Sequence, residues 1–363
     1  MEPLLLPHTV LLSCARNDCT PVLDTRPVTT SRFTDMPDLA SERLGSTVLL
    51  ANDEFFAAKE NLIKVAPPIA NDEYTERGKW MDGWETRRRR ESGYDWCIIK
   101  LGIPGVLHGV IVDTANFKGN YPAQCSLEAC NAPAATLSDF SADAVRWCSL
   151  LERRDLRGDA PNSFELEDRD RVTHLRLNIY PDGGVARLRV HGVPAMPPES
   201  PGRTNLDLAA LENGGYVVSC SDMFFGNRHH LIMPGPSRQM NEGWETKRRR
   251  GPGNDWAIVR LCANGTVTRA EVDTSYFKGN APGWCSLEAA TGEESTSMAE
   301  PASGTRWTEL LPKTLLTPHT RHFFTEELRS LSGVTHVRLN IFPDGGVARL
   351  RLWGTLTGGV NRA

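Results

Sequence analysis

With 363 residues, 40% hydrophobic and 24% charged, the chain is long enough for two cores of about 150–200 residues each. A formal net charge of −4 and a pI near 6.2 argue against a nucleic-acid footprint, and no apolar run approaches the ~18 residues of a membrane helix. Nine cysteines, an odd number without a C-x-x-C pair, argue against a disulfide framework or a zinc ribbon and suit a reducing, cytoplasmic setting.

The opening segment, MEPLLLPHTVLLSCAR, has no positive n-region, and Pro7 and His8 interrupt its apolar stretch, so residues 1–30 read as an N-terminal arm. Helical pattern is limited to short pieces such as residues 53–63 and 325–331. Elsewhere the apolar period is two: the runs at 97–101, 110–112, 216–218 and 257–261 alternate and sit among Gly, Pro and Asn, as in an all-β sandwich. In THLRLNIYPDGGVARLRVHG, Leu175, Leu177 and Ile179 alternate with His174, Arg176 and Asn178, and Leu188 and Val190 with Arg187 and Arg189. The Asp182-Gly183 pair suggests a hairpin turn with positive φ at the glycine. That register would set Arg176 opposite Arg189 and Asn178 opposite Arg187, and the like-charged neighbours call for an anion nearby.

The chain contains itself twice. Residues 83–128 align without a gap on 243–288, with 25 of 46 positions identical, and RLNIYPDGGVARLR (176–189) matches 338–351 at 13 of 14. Upstream, residues 51–63 resemble 219–232, pairing Phe55-Phe56 with Phe224-Phe225. Each copy is a whole domain, placed at 31–195 and 206–360, with a proline-rich linker at 196–205 between them.

Candidate chemistry lies in the shared words. In GWETRRRR and GWETKRRR, an extended run would point Arg87 and Arg89 one way and Arg88 and Arg90 the other, so one pair can face a cleft while the other forms ion pairs. Flanking Glu85, Glu91 and Asp95 weigh against a phosphate-binding patch. FKGN (117–120, 277–280) follows a strand and presents Lys118 and Asn120 on a loop, with Gly119 suggesting positive φ or close backbone approach. Asp113, at the end of that strand, binds either substrate or a backbone amide. Arg176 and Arg189 either clamp a carboxylate or are neutralised by Glu85, Asp113 or Glu128. His174 and His336 read as structural. The clustered histidines 229–230 and 319–322 have no counterparts in the other copy, so no metal ligands are assigned, and a divalent cation is left open.

The combination GWETRRRR…DW…VDT…FKGN…CSLEA…HLRLNIYPDGGVARL, present twice, closely resembles the allantoicase family over residues 30–358. The resemblance implies an all-β protein of two tandem jelly-roll β-sandwich domains, similar to galactose-binding domains and related by internal duplication. It implies a hydrolase of linear amidines that converts allantoate to ureidoglycolate and urea in purine breakdown, working as a homo-oligomer on a small molecule, without nucleic acid or membrane. Allantoate carries a carboxylate and two ureido arms on one carbon, which need cations, amide or carboxylate partners, and a proton donor. Glu85, Lys118, Glu245 and Lys278 are the catalytic candidates. Substrate-binding candidates are Arg88, Arg90, Asp113, Asn120, Arg176, Asn178 and Arg189, with Arg248, Arg250, Asp273, Asn280, Arg338, Asn340 and Arg351 in the second copy. A tandem galactose-binding-like module for a ligand or carbohydrate is the competing class, and either copy, or both, could hold the site.

Overall fold

The computed structural model describes residues 32–142, 144–167, 170–196, 205–291, 301 and 304–357. The expected arm at 1–30 and most of the expected linker at 196–205 lie outside the described residues. The first copy comprises β1 (Thr47–Ala51), β2 (Tyr74–Thr75), β3 (Gly78–Lys79), β4 (Trp84–Glu85), β5 (Asp95–Asp113), β6 (Gln124–Cys130), β7 (Cys148–Asp155), β8 (Pro161–Glu165), β9 (Arg171–Tyr180), β10 (Gly184–Val185) and β11 (Arg187–Pro194). In the second follow β12 (Leu206–Asp207), β13 (Tyr216–Cys220), β14 (Trp244–Glu245), β15 (Asp255–Asp273), β16 (Trp284–Thr291), β17 (Thr308–Leu315), β18 (Arg321–Phe324), β19 (Val334–Phe342), β20 (Gly346–Val347) and β21 (Arg349–Leu356).

One strand organises each jelly roll. The first half of β5 pairs with β1 and β9, giving the order β1-β5-β9-β6-β7, and its second half pairs with β8 and β11. The runs at 97–101 and 110–112, expected as separate strands, are thus the two ends of β5. Glycine makes the continuity feasible: a Cβ at Gly102 would collide with the Leu44 carbonyl, and one at Gly105 with Leu39. A bulge at His108 shifts the register against β11. The buried set therefore passes from odd positions (Cys97, Ile99, Leu101, Ile103, Leu107) to even ones (Val110, Val112), and both halves keep an apolar face on one core. β15 repeats the plan with β13, β19, β21 and β18.

Two expectations are corrected. The alternation at 174–190 holds, since Leu175, Leu177, Ile179, Leu188 and Val190 are all buried. But β9 and β11 do not form a hairpin: β9 pairs with β5 and β6, and β11 with the far end of β5. Each strand finds its ladder on β5, so the PDGG stretch crosses between layers. Gly183 does take positive φ (138°), but β10 pairs with β4. Arg176 and Arg189 are therefore not neighbours. Nor are residues 325–331 helical; they form turns and bends that tuck Leu328 and Leu331 partly against the core. Within 53–63 only a 3-10 turn at Lys59–Ile63 is helical.

A single apolar core runs through both copies. Across their junction the Arg43 guanidinium meets Glu242 at 2.8 Å, and Asn227 Nδ2 donates to the Asp35 carbonyl at 3.0 Å. Among the described residues no helix is long and apolar enough to cross a membrane.

Candidate active site

At one end of the first jelly roll, three loops surround a cavity of 460 Å³. Its lining comes from residues 69–72 and 79–82, from Phe56 and Glu85, and from Asn116 and Lys118 to Asn120. Trp84, fully buried with its indole N–H donating to the Asp53 carbonyl at 2.8 Å, fixes β4 and so the adjacent Glu85. The FKGN loop is anchored by buried Phe117, which packs where side chains at Gly83 and Gly184 would stand, and by the Gly184 N–H on the Asn120 carbonyl at 2.8 Å. Gly119 itself has neither positive φ nor a close neighbour, contrary to the expectation from sequence, because Phe117 already fixes the loop.

Within the cavity Asn120 Nδ2 donates to Glu85 Oε1 at 2.8 Å. Burial pushes the Glu85 carboxyl above the usual carboxylate range, with the Asn120 hydrogen bond opposing it. Lys118 stands exposed at the rim. The cavity floor is Asp82, whose carboxylate meets Arg187 Nη2 at 2.7 Å and the Ile69 N–H at 3.1 Å. Burial raises the Asp82 pKa, but Arg187 and Ile69 outweigh it and the net shift is downward. A half-buried carboxyl poised to hold a proton, beside an amide and a lysine, suits proton transfer to a nitrogen leaving group.

The other candidates fall in separate places. Arg88 and Arg90, with Asn52, Asp53, Arg87, Arg89, Glu91 and Asp95, line a second cavity of 450 Å³ that shares no residue with the first. All four arginines line this cavity, so the run does not turn one pair away from it; Arg87 pairs with Asp53 at 2.6 Å and Arg89 with Asp95 at 2.7 Å, while Arg88 and Arg90 are exposed and have no ion-pair partner among the described residues. Arg248 and Arg250 repeat this exposure beside the Lys247–Asp222 and Arg249–Asp255 pairs. Arg176 and Asn178 lie on the outward face of β9, where both reach Glu128, at 2.7 and 2.8 Å. The Arg176 guanidinium also stacks on Trp147 at 5.0 Å. Arg338 and Asn340 do the same with Glu288 and Trp307.

Arg189 contacts Asp38 at 3.4 Å and the Val65 carbonyl, and Arg351 takes the carbonyls of Met233 and Gly235 with Asp207 at 3.6 Å. Asp113 and Asp273 each accept a backbone N–H two residues on, from Ala115 and Ser275. Glu245 accepts from Asn280 Nδ2 at 2.6 Å, and Lys278 is exposed on its loop, repeating the first copy. Among the described residues no three His, Cys, Asp or Glu side chains converge to hold a metal ion. His174 and His336 are buried, each bonded to the neighbouring threonine hydroxyl.

Reading shared words alone misses residues 69–72 and 79–81, since this wall exists in one copy only. A signal was available: nineteen residues (64–82) separate Ile63 from Gly83, whereas ten (233–242) separate Ile232 from Gly243.

Fold and cavity define a duplicated jelly-roll protein with a carboxyl-bearing cleft sized for a small polar molecule. Residues 37–195 and 206–357 match the family model described as the allantoicase repeat. The chain is 49% identical to a probable allantoicase of Nocardia farcinica over 328 residues, covering 90% of this chain and 96% of that one. It is 47% identical to the allantoicase of Dictyostelium discoideum over 322 residues, covering 87% and 86%. The crystal structure of allantoicase from Saccharomyces cerevisiae superposes with a TM-score of 0.68 at 34% identity, covering 88% of this chain and 92% of that one. The chain belongs to the allantoicase family.

Proposed function

We propose that the protein is an allantoate amidinohydrolase acting in purine degradation, and that Glu85, Asn120 and Lys118 carry the reaction. Allantoate and water give ureidoglycolate and urea. The observation that favours this site is the desolvated Glu85 carboxyl, held by Asn120 and facing a cavity of 460 Å³.

In this reading Lys118 pairs with the substrate carboxylate, and Asn120 both orients Glu85 and leaves its carbonyl for a ureido N–H. Protonated Glu85 gives its proton to the departing ureido nitrogen. The C–N bond breaks as the lone pair of the remaining ureido nitrogen moves onto the central carbon–nitrogen bond, and urea leaves. Glu85, now a carboxylate, takes a proton from the water that adds to the carbon, which regenerates the acid and yields the hydroxyl of ureidoglycolate. Burial supports this cycle, because it keeps a carboxyl protonated at higher pH than a solvated one.

The two copies are taken as domains spanning 31–195 and 206–360, in a cytoplasmic homo-oligomer. Urea release from allantoate by the purified protein tests the activity, and no urea above background, with or without Mn²⁺, would overturn it. kcat should fall as pH rises through the Glu85 pKa, since the protonated form is the donor.

A further inference from the structure

The two copies keep the same Glu-Asn pair but differ in what surrounds it. In the first, residues 64–82 form the small β2-β3 hairpin, and Ile69, Asn71, Asp72, Lys79 and Trp80 from this stretch wall the cavity. Both ends of the segment are fastened by Arg187, which is 1% exposed. Its Nε donates to the Ala66 carbonyl at 3.0 Å, and its Nη2 meets the Asp82 carboxylate at 2.7 Å. The hairpin also packs on the Phe55-Phe56 pair, with Arg77 over the Phe55 ring and donating to the Phe55 carbonyl at 3.3 Å.

The second copy lacks nine of these residues. Phe224 and Phe225, the counterparts of Phe55 and Phe56, are 71% and 61% exposed against 41% and 36%. Met240 stands beside the Glu245–Asn280 pair, its Sδ 3.4 Å from Asn280 Nδ2. Glu242, the counterpart of Asp82, no longer serves the local arginine. Its carboxylate turns to Arg43 of the first copy at 2.8 Å and to Arg238, while Arg349 donates to the carbonyls of Gly235, His230 and Glu242. The acid that floors the cavity in one copy thus braces the junction in the other.

We infer that the first copy alone turns over substrate, that the wall from residues 64–82 is what confines it there, and that the second copy's Glu245–Asn280 pair is retained as a fold element. The inference rests on the proposed activity and narrows it to one site per chain. Arg187 is then a positioning residue, acting through the loop it fastens.

The experiment compares Glu85→Gln with Glu245→Gln in the full chain, each first shown to be folded by its melting temperature. Glu85→Gln should lower kcat for urea release by about 100-fold or more, and Glu245→Gln should leave it within about two-fold. Calorimetric titration of the slow Glu85→Gln variant with allantoate should saturate at one site per chain. Equal losses in both variants, a loss confined to Glu245→Gln, or two sites per chain would overturn the single-site inference while leaving the activity standing. Absence of urea release by the unmodified protein would instead remove the activity itself.

Discussion

As the proposed proton donor, Glu85 would serve chemistry at the expense of stability. Burial raises its folded-state pKa, so the carboxyl contributes stability that is present below the unfolded value and is lost as pH rises through the folded one. Glu85→Gln, an uncharged near-isostere that keeps a partner for Asn120, should therefore raise Tm at pH 8 relative to the unmodified protein while abolishing most turnover. Differential scanning calorimetry at pH 5 and pH 8 checks this, with the gain expected only at the higher pH. Arg176 offers the opposite case, since its guanidinium meets Glu128 and Trp147 on the sheet's outer face, away from the cavity lining. Burial raises the Glu128 pKa, but the hydrogen bonds from Arg176 and Asn178 outweigh it and the net shift is downward. Arg176→Ala should cost about 1 kcal/mol, roughly 2–4 °C in Tm, because the pair is partly solvated. KM for allantoate should stay unchanged; a raised KM without a Tm loss would assign this arginine to substrate. The sequence offers Glu85 as a catalytic candidate and Arg176 as a substrate-binding one or a partner of Glu128, and it does not fix their burial and partners, which are set by distant elements.

At the scale of elements, the 64–82 segment depends on two fastenings. Arg187 closes its base, and the cavity floor is the partner carboxylate of Asp82. Asp82→Asn removes the charge pairing but keeps an oxygen for the Ile69 N–H, and Arg187 retains the carbonyls of Ala66, Asp82 and Ala186, much as Arg349 survives on carbonyls. The expected outcome is a modest fall in Tm with a KM for allantoate raised about ten-fold or more, because the loop loses its tightest clamp. Steady-state kinetics alongside thermal melts separate the two effects. A Tm loss with unchanged KM would mean the wall needs no clamp. The length difference between copies was legible in sequence, but its meaning was not. Only the folded chain shows that the extra residues close over Glu85 from a segment that precedes it.

For the whole molecule, the two copies share one core and a largely buried ion pair, Arg43–Glu242, at their junction. Burial raises the Glu242 pKa, but Arg238 and Arg43 more than compensate and hold it at about 2, so its contribution is fully present above the ordinary carboxylate pKa and is lost as pH falls from there through about 2. Arg43→Ala should lower Tm by several degrees, corresponding to about 2 kcal/mol with Arg238 still in place, and should broaden or split the calorimetric transition as the copies uncouple. A second whole-molecule effect comes from His174 and His336, whose imidazoles burial holds at about 4. Their depressed values mean that the unfolded chain takes up protons first. Stability should fall as pH drops from about 6.5 toward 4, a window above that of the paired carboxylates. Burial also depresses His229 and His230, so replacing His174 and His336 with glutamine should lessen the fall of Tm over that interval without abolishing it, as pH-dependent melts would show.

The sequence by itself determined the duplication, the all-β class and the inward-facing residues of β9 and β11. These follow from local periodicity, and a period of two reports which face is buried whatever the strand pairs with. The tertiary structure alone decided that β5 takes both β9 and β11, which separates Arg176 from Arg189. It also decided that Glu85 is desolvated in a cavity lined in part by residues 69–72 and 79–82, and that Glu242 pairs with Arg43 of the other copy. Strand pairing, desolvation and the choice between two ion-pair partners depend on contacts between residues far apart in the chain. Two nearly identical words, GWETRRRR and GWETKRRR, therefore sit beside one long wall, residues 64–82, and one nine residues shorter, 233–242.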